Sequence, residues 1–163
     1  MLRILDITAP DINNGNGIRI TLWVSGCKHH CKGCHNQWTW KFEQGRIYRE
    51  NKEQILEELS EWLDRDYVEG LTFSGGDPLC QDNDGLCEIY DIIKWFREKY
   101  PTKNIWLYTG YIKEEIDKSD NYIMKEIVNS IDVLVDGPYI EEQRDICHTP
   151  FRGSKNQRII YIK

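Results

Sequence analysis

The sequence predicts an α/β fold built on a mostly parallel sheet of about five strands. Three observations predict it. Short apolar runs alternate with stretches of helical period along the chain. No internal repeat, low-complexity tract or linker interrupts that alternation. Turns rich in Gly, Ser and Asp follow the apolar runs that read as strands. A chain of 163 residues can bury a core of its own, and one domain over residues 1–163 is expected.

Taken in order, residues 19–24 (RITLWV) read as a strand. Residues 52–66 read as a helix with Ile55, Leu56, Leu59, Trp62 and Leu63 on one face. Residues 70–73 form a short strand. Residues 86–100 form a second helix, with Ile89, Ile92, Ile93 and Phe96 inward and Pro101 just past its end. Residues 105–108 are a strand, and 112–129 are helical with a break near Ser119-Asp120. Residues 131–135, rich in Val and Ile, and 158–162 are the last two strands. So few strands cannot close an eight-stranded barrel, which leaves an open sheet or a partial barrel.

The chemistry-bearing residues lie in the turns after these strands. Ser25-Gly26-Cys27 follows the first, Ser74-Gly75-Gly76-Asp77-Pro78 the second, Thr109-Gly110 the third and Asp136-Gly137-Pro138 the fourth. In parallel α/β architectures the carboxyl ends of the strands carry the site, so these turns should converge on one rim. Gly75 and Gly76 leave backbone groups open to close approach, and Asp77 offers a carboxylate suited to an ammonium group. The plainer reading of that segment is a strand-to-helix turn, with Asp77 or Asp82 near a helix cap.

Cys27-Lys28-His29-His30-Cys31-Lys32-Gly33-Cys34 places three thiols within eight residues and supplies no fourth in register. Three thiolates can hold three corners of a [4Fe–4S] cluster and leave one iron open for chemistry, whereas an electron carrier usually supplies four. The alternative is zinc on Cys27, Cys31, Cys34 and His35, although zinc sites usually pair two separated ligand hairpins. Cys80, Cys87 and Cys147 are scattered and read as ordinary small residues.

Composition narrows the class. A net charge of −6 argues against a general nucleic-acid binder. No apolar run has the length of a membrane span, and Met1 to Pro10 lacks the apolar core of a signal peptide. A cytoplasmic protein is expected, in which six Cys do not form a disulfide framework. Asn14-Gly15-Asn16-Gly17 precedes a strand, so it reads as a flexible turn, not a dinucleotide fingerprint. Residues 137–157 show little periodicity and read as a lid or docking segment. The cluster of Arg152, Lys155 and Arg158 is a local basic patch.

The spacing Cys27-x3-Cys31-x2-Cys34 with a downstream Gly75-Gly76-Asp77-Pro78 resembles the radical S-adenosylmethionine superfamily. Further blocks are similar to the activating proteins of anaerobic (class III) ribonucleoside-triphosphate reductases. They are Asn14-Gly15-Asn16-Gly17-Ile18-Arg19, Gly33-Cys34-His35-Asn36 with Thr39-Trp40, Asp132 to Pro138, and Arg152-Gly153-Ser154 with Asn156-Gln157-Arg158. The resemblance implies a partial, open β/α barrel of the radical S-adenosylmethionine type. It implies one [4Fe–4S] cluster on Cys27, Cys31 and Cys34, with S-adenosylmethionine at the fourth iron. Gly33, His35, Gly75, Gly76 and Asp77 would bind that cofactor, as would Thr109 and Asp136 at comparable strand ends. The position before the third Cys is often aromatic in the superfamily; here it is Gly33, which leaves open which side chain covers the adenine, with His35 the candidate. The implied activity is formation of a glycyl radical on the large subunit of the reductase, with reduced flavodoxin or a similar donor. An activase of another glycyl radical enzyme of the formate-lyase type is the alternative within the same chemistry. Outside it stand a non-catalytic zinc module and a simple electron carrier, the latter needing Cys80 as a fourth ligand.

Overall fold

A computed structural model describes residues 1–145 and 150–163. Its strands are β1 (Arg3–Asp11), β2 (Ile18–Val24), β3 (Arg46–Ile47), β4 (Val68–Gly75), β5 (Asn104–Tyr108), β6 (Val133–Asp136) and β7 (Arg158–Tyr161). Its α-helices are α1 (Lys52–Leu63), α2 (Asn83–Lys99), α3 (Lys113–Lys118) and α4 (Tyr122–Ser130). The strands form one mixed sheet in the order β3-β1-β2-β4-β5-β6-β7, and the sheet is not closed. Strands β2, β4, β5 and β6 run parallel, while β1, β3 and β7 join antiparallel. Among the described residues no helix is long and apolar enough to cross a membrane.

Among the described residues, seven strands replace the five expected. The two additions, β1 and β3, had weak sequence signals. β1 carries Asp6 and Pro10 and has register shifts against β2, and β3 is two residues long. The long helix expected over 112–129 is two, α3 and α4. Ser119 turns extended, and the Asn121 side chain restarts the chain by accepting from the Met124 N–H at 3.1 Å. Helix α2 begins earlier than its apolar period suggests because Asp82 caps it, accepting from the Gly85 N–H at 2.7 Å.

Strand parity divides the sheet into two faces. Ile20, Leu22 and Val24 of β2, Leu71 and Phe73 of β4, Ile105 and Leu107 of β5, and Leu134 of β6 share one face. They form a single core with Ile55 and Leu59 of α1, Ile89, Ile92 and Phe96 of α2, Ile116 of α3 and Ile127 of α4. All four helices therefore cover the same face. The other face carries Arg19, Thr21, Thr72, Ser74, Trp106 and Tyr108, with a separate small cluster of Trp106, Val133 and Val135. Loops cover that second face.

Arg19 is the floor of the polar face. It is 0 % exposed, and burial lowers its pKa to about 10, so it stays charged at neutral pH. Its guanidinium donates to Thr72 Oγ1 at 2.8 Å, Asn104 Oδ1 at 2.7 Å, the Leu71 carbonyl at 2.9 Å and the Asn16 carbonyl at 3.1 Å. Trp106 lies under it, 5.5 Å from ring centroid to Cζ. The Thr72 hydroxyl passes the chain of bonds on to the Asn14 carbonyl at 2.7 Å. The segment expected to be a flexible turn is thus bonded to the inside of the sheet. Gly15, at φ +126°, is needed there, since a Cβ would meet Trp106 at 2.8 Å and Arg19 at 2.9 Å.

Arg19→Ala should leave Thr72, Asn104 and two carbonyls short of a donor and cost about 3 kcal/mol or more. Urea unfolding measures it, and a loss below ~0.5 kcal/mol would remove Arg19 from this role.

Candidate functional site

At the carboxyl ends of the parallel strands the chain encloses a cavity of ≈ 460 Å³. That is within the range of small-molecule sites, about 300–1,000 Å³. Cys27, Cys31 and Cys34 line it, with Ser74 and Gly75 at the end of β4, Gly76 and Asp77 just past it, Thr109 and Gly110 after β5, and Gly137 after β6. The turns expected to meet on one rim do meet there.

The thiol loop is placed by two close backbone passages. The Gly26 N–H donates to the Thr39 carbonyl at 2.8 Å and the Cys27 N–H to the Trp40 carbonyl at 3.1 Å. The Asp77 N–H donates to the Gly26 carbonyl at 2.8 Å, and a Cβ on Gly76 would stand 2.4 Å from that carbonyl oxygen. The turns after β2 and β4 can touch only because residue 76 has no side chain.

Asp77 joins the loops. It is 1 % exposed and accepts four hydrogen bonds. Leu79 N–H donates to Oδ1 at 2.8 Å; Thr109 Oγ1 at 3.0 Å, Gly110 N–H at 2.9 Å and His29 Nε2 at 2.7 Å donate to Oδ2. One carboxylate thus ties the thiol loop, through His29, to the turns after β4 and β5. The His29 ring also packs edge-on against Tyr111, with centroids 4.7 Å apart. Its bond to Asp77 holds the imidazole above its ordinary range, against the effect of burial. The carboxylate expected to meet an ammonium group directly is occupied by protein donors.

Burial pushes the Cys27 thiol up to about 12 and raises that of Cys31 as well. Backbone amides oppose this: His29 and His30 favour the Cys27 thiolate, and Tyr139 favours that of Cys31. The Asn36 N–H lies 3.4 Å from Cys34 Sγ. Amides directed at sulfur suit the thiolates of an iron–sulfur cluster. Among the described residues, no three His, Cys, Asp or Glu side chains converge on a single-ion site. The donor set, three thiols around one cavity, fits a cluster.

The other expected residues fall as follows. Thr109 lines the cavity and is held by Asp77. His35 lines the cavity with its ring 5.4 Å from that of Tyr139. Gly33 is not among the lining residues; it turns the loop at φ +73° against the Glu141 side chain. Asp136 does not line the cavity either. Its parity in β6 puts it on the helix side with Leu134, where Arg158 Nε and the Lys113 N–H bind it at 3.0 and 2.8 Å. The two arginines of the basic patch are paired in the same way, Arg158 with Glu114 and Asp136 and Arg152 with Asp145. Cys80 is buried and outside the cavity, its sulfur accepting from the Lys28 N–H at 3.3 Å. Cys87 lies exposed on α2, and Cys147 falls outside the described residues.

Sequence reasoning missed His29, Asn14, Tyr108, Tyr139 and Phe151 as parts of this site. Only His29 had a local signal, its position between two cysteines. Tyr108 donates from its hydroxyl to the Phe151 carbonyl at 2.9 Å, so aromatic side chains from β5 and the segment after β6 wall one side.

An α/β protein with helices on one face and three thiols at its strand ends has the build of an iron–sulfur protein. The family model of the 4Fe-4S single cluster domain matches residues 13–160. The chain is 38% identical over 149 residues to the anaerobic ribonucleoside-triphosphate reductase-activating protein of Enterobacteria phage T4, covering 91% of this chain and 87% of that one. It is 42% identical to the protein of the same name from Vibrio cholerae, with 91% of each chain covered. For that of Haemophilus influenzae the identity is 41% and the coverage 99% of each. The chain belongs to the family of anaerobic ribonucleoside-triphosphate reductase-activating proteins.

Asp77→Ala should free His29, Thr109, Gly110 and Leu79 together and destabilise the metal-free protein by about 3 kcal/mol or more. Denaturant unfolding would show it, and the His29 NMR signals should lose their single environment. Unchanged stability and an unmoved His29 would contradict the joining role.

Proposed function

We propose that this protein activates an anaerobic ribonucleoside-triphosphate reductase by generating a glycyl radical on its large subunit. The observation that carries this reading is the convergence of three thiols and the Gly75-Gly76 turn on one cavity, in a chain of the activating-protein family. Cys27, Cys31 and Cys34 would hold three irons of a [4Fe–4S] cluster and leave one without a protein ligand. Bound there, the cluster and S-adenosylmethionine would supply reductive cleavage of a sulfonium C–S bond and a 5′-deoxyadenosyl radical that takes an α-hydrogen from a glycine of the reductase.

The chain's own work is positioning and exclusion. Gly75 and Gly76 admit the amino-acid end of the cofactor close to the backbone, and Asp77 fixes that turn from behind. Thr109 acts through Asp77, and His35 with Tyr139 offers a ring pair for the adenine. Tyr108 and Phe151 wall off water, which matters where a reactive intermediate must meet only its target. We read the open sheet, with its helices on one face and its polar interior on the other, as the partial barrel of the radical S-adenosylmethionine type. An unclosed sheet leaves a side from which a protein substrate can enter.

The test is anaerobic incubation of the reduced, cluster-loaded protein with S-adenosylmethionine and the reductase large subunit. A glycyl radical EPR doublet should appear on that subunit. Cys27→Ala, Cys31→Ala and Cys34→Ala should each abolish it and the cluster, while Cys80→Ser keeps both. A doublet formed only on a formate-lyase type enzyme would reassign the partner, and no doublet from a loaded protein would overturn the activity.

A further inference from the structure

A second cavity, of ≈ 490 Å³, lies against the thiol loop and shares Cys27 with the first. Lys28, His30, Trp40, Lys41 and Phe42 are among its walls. Cys31 and Cys34 line the first cavity and not this one. The wall is bonded to the ligand loop itself, since the Trp40 carbonyl accepts the Cys27 N–H at 3.1 Å. His30 holds φ +47°, rare for a residue with a Cβ, and its ring stacks on Trp40 with centroids 4.7 Å apart.

The charge around this groove opposes that of the whole. The chain carries 27 Asp and Glu and a net charge of −6, yet residues 12–42 contain no carboxylate. Within that stretch Lys32 is paired with Glu141 and Glu142. Lys28 and Lys41 are exposed, and among the described residues neither has a carboxylate partner; Lys28 Nζ sits 5.8 Å from the Phe42 ring centroid. Among the described residues, Glu43 is the one carboxylate that lines the groove. Trp38, next in the chain to the groove-lining Gln37, is 52% exposed, and exposed aromatic side chains are enriched at interfaces.

We infer that this groove is the docking site of an acidic one-electron carrier protein, an assignment that rests on the cluster being held by Cys27, Cys31 and Cys34. One electron passes from the carrier, which is oxidised by one, to the cluster, with no bond made or broken and no proton moved. Entry beside Cys27 leaves the first cavity free for the cofactor and the reductase. A small groove with a cationic rim suits a transient encounter that is steered by charge and released after transfer.

The experiment follows reduction of the reconstituted cluster by absorbance, in stopped flow, with reduced flavodoxin as the probe carrier. Lys28→Glu/Lys41→Glu should slow the second-order rate at low salt by about tenfold or more. The two proteins should converge as salt screens the field. Lys118→Glu/Lys163→Glu, the same charge change at two other exposed lysines, should leave the rate near that of the parent. Reduction by photoexcited deazaflavin, to the same extent and at the same potential in all variants, shows that each cluster is intact. Lys28→Gln/Lys41→Gln, an intermediate change, should fall between. Equal rates with flavodoxin in the parent and the Lys28/Lys41 variants, or an equal loss in the Lys118/Lys163 control, would overturn the docking site. A parent protein that assembles no cluster would overturn the reading of the thiol loop, and the docking site with it.

Discussion

The Asp77 carboxylate is the constraint on which the rest of the site depends. Three loops leave the ends of β2, β4 and β5, and each is short of regular structure to hold it. Asp77 sits where they meet and takes one N–H from its own turn, one from Gly110, the hydroxyl of Thr109 and the ring of His29. A buried carboxylate with fewer donors would be costly, and buried donors without the carboxylate would be equally so. The arrangement is therefore all or none. It holds the thiol loop, through His29, against the Gly75-Gly76 turn.

The sheet separates stability from chemistry. Its helix side is an apolar core fed by every helix and by alternate residues of the central strands. Its other side is polar, floored by Arg19 and lined by Thr21, Thr72 and Ser74, and loops rather than helices close it. Helices on both faces would have filled the space that the cavity takes. The same division explains the two sides of the thiol loop. Cys27 borders both cavities, one lined by the turns after the parallel strands and one lined by Lys28 and Lys41.

The sequence revealed what local spacing determines. Three thiols in one loop, apolar residues at helical period and polar turns after strands all depend on neighbours in the chain. Parity in β6 did not show, because a parallel strand is apolar on both faces and Val133, Leu134 and Val135 look alike. Asp136 was therefore placed on the rim when its carboxylate belongs to the helix side with Arg158. His29 looked like one more residue between cysteines, since its partner Asp77 is distant in sequence. β1 was hidden by Asp6 and Pro10, whose strand is recognisable only once β2 pairs with it. The segment after β6 has no period to read, and it supplied Tyr139 and Phe151 to the cavity wall.

The central claim is that three protein thiols leave one iron of a cluster open to S-adenosylmethionine. The EPR spectrum of the anaerobically reconstituted, chemically reduced protein, recorded with and without that cofactor, tests it most directly. A reduced [4Fe–4S] signal that changes when S-adenosylmethionine is added is the predicted result. A cluster signal indifferent to the cofactor, or stoichiometric zinc in place of iron, would contradict it.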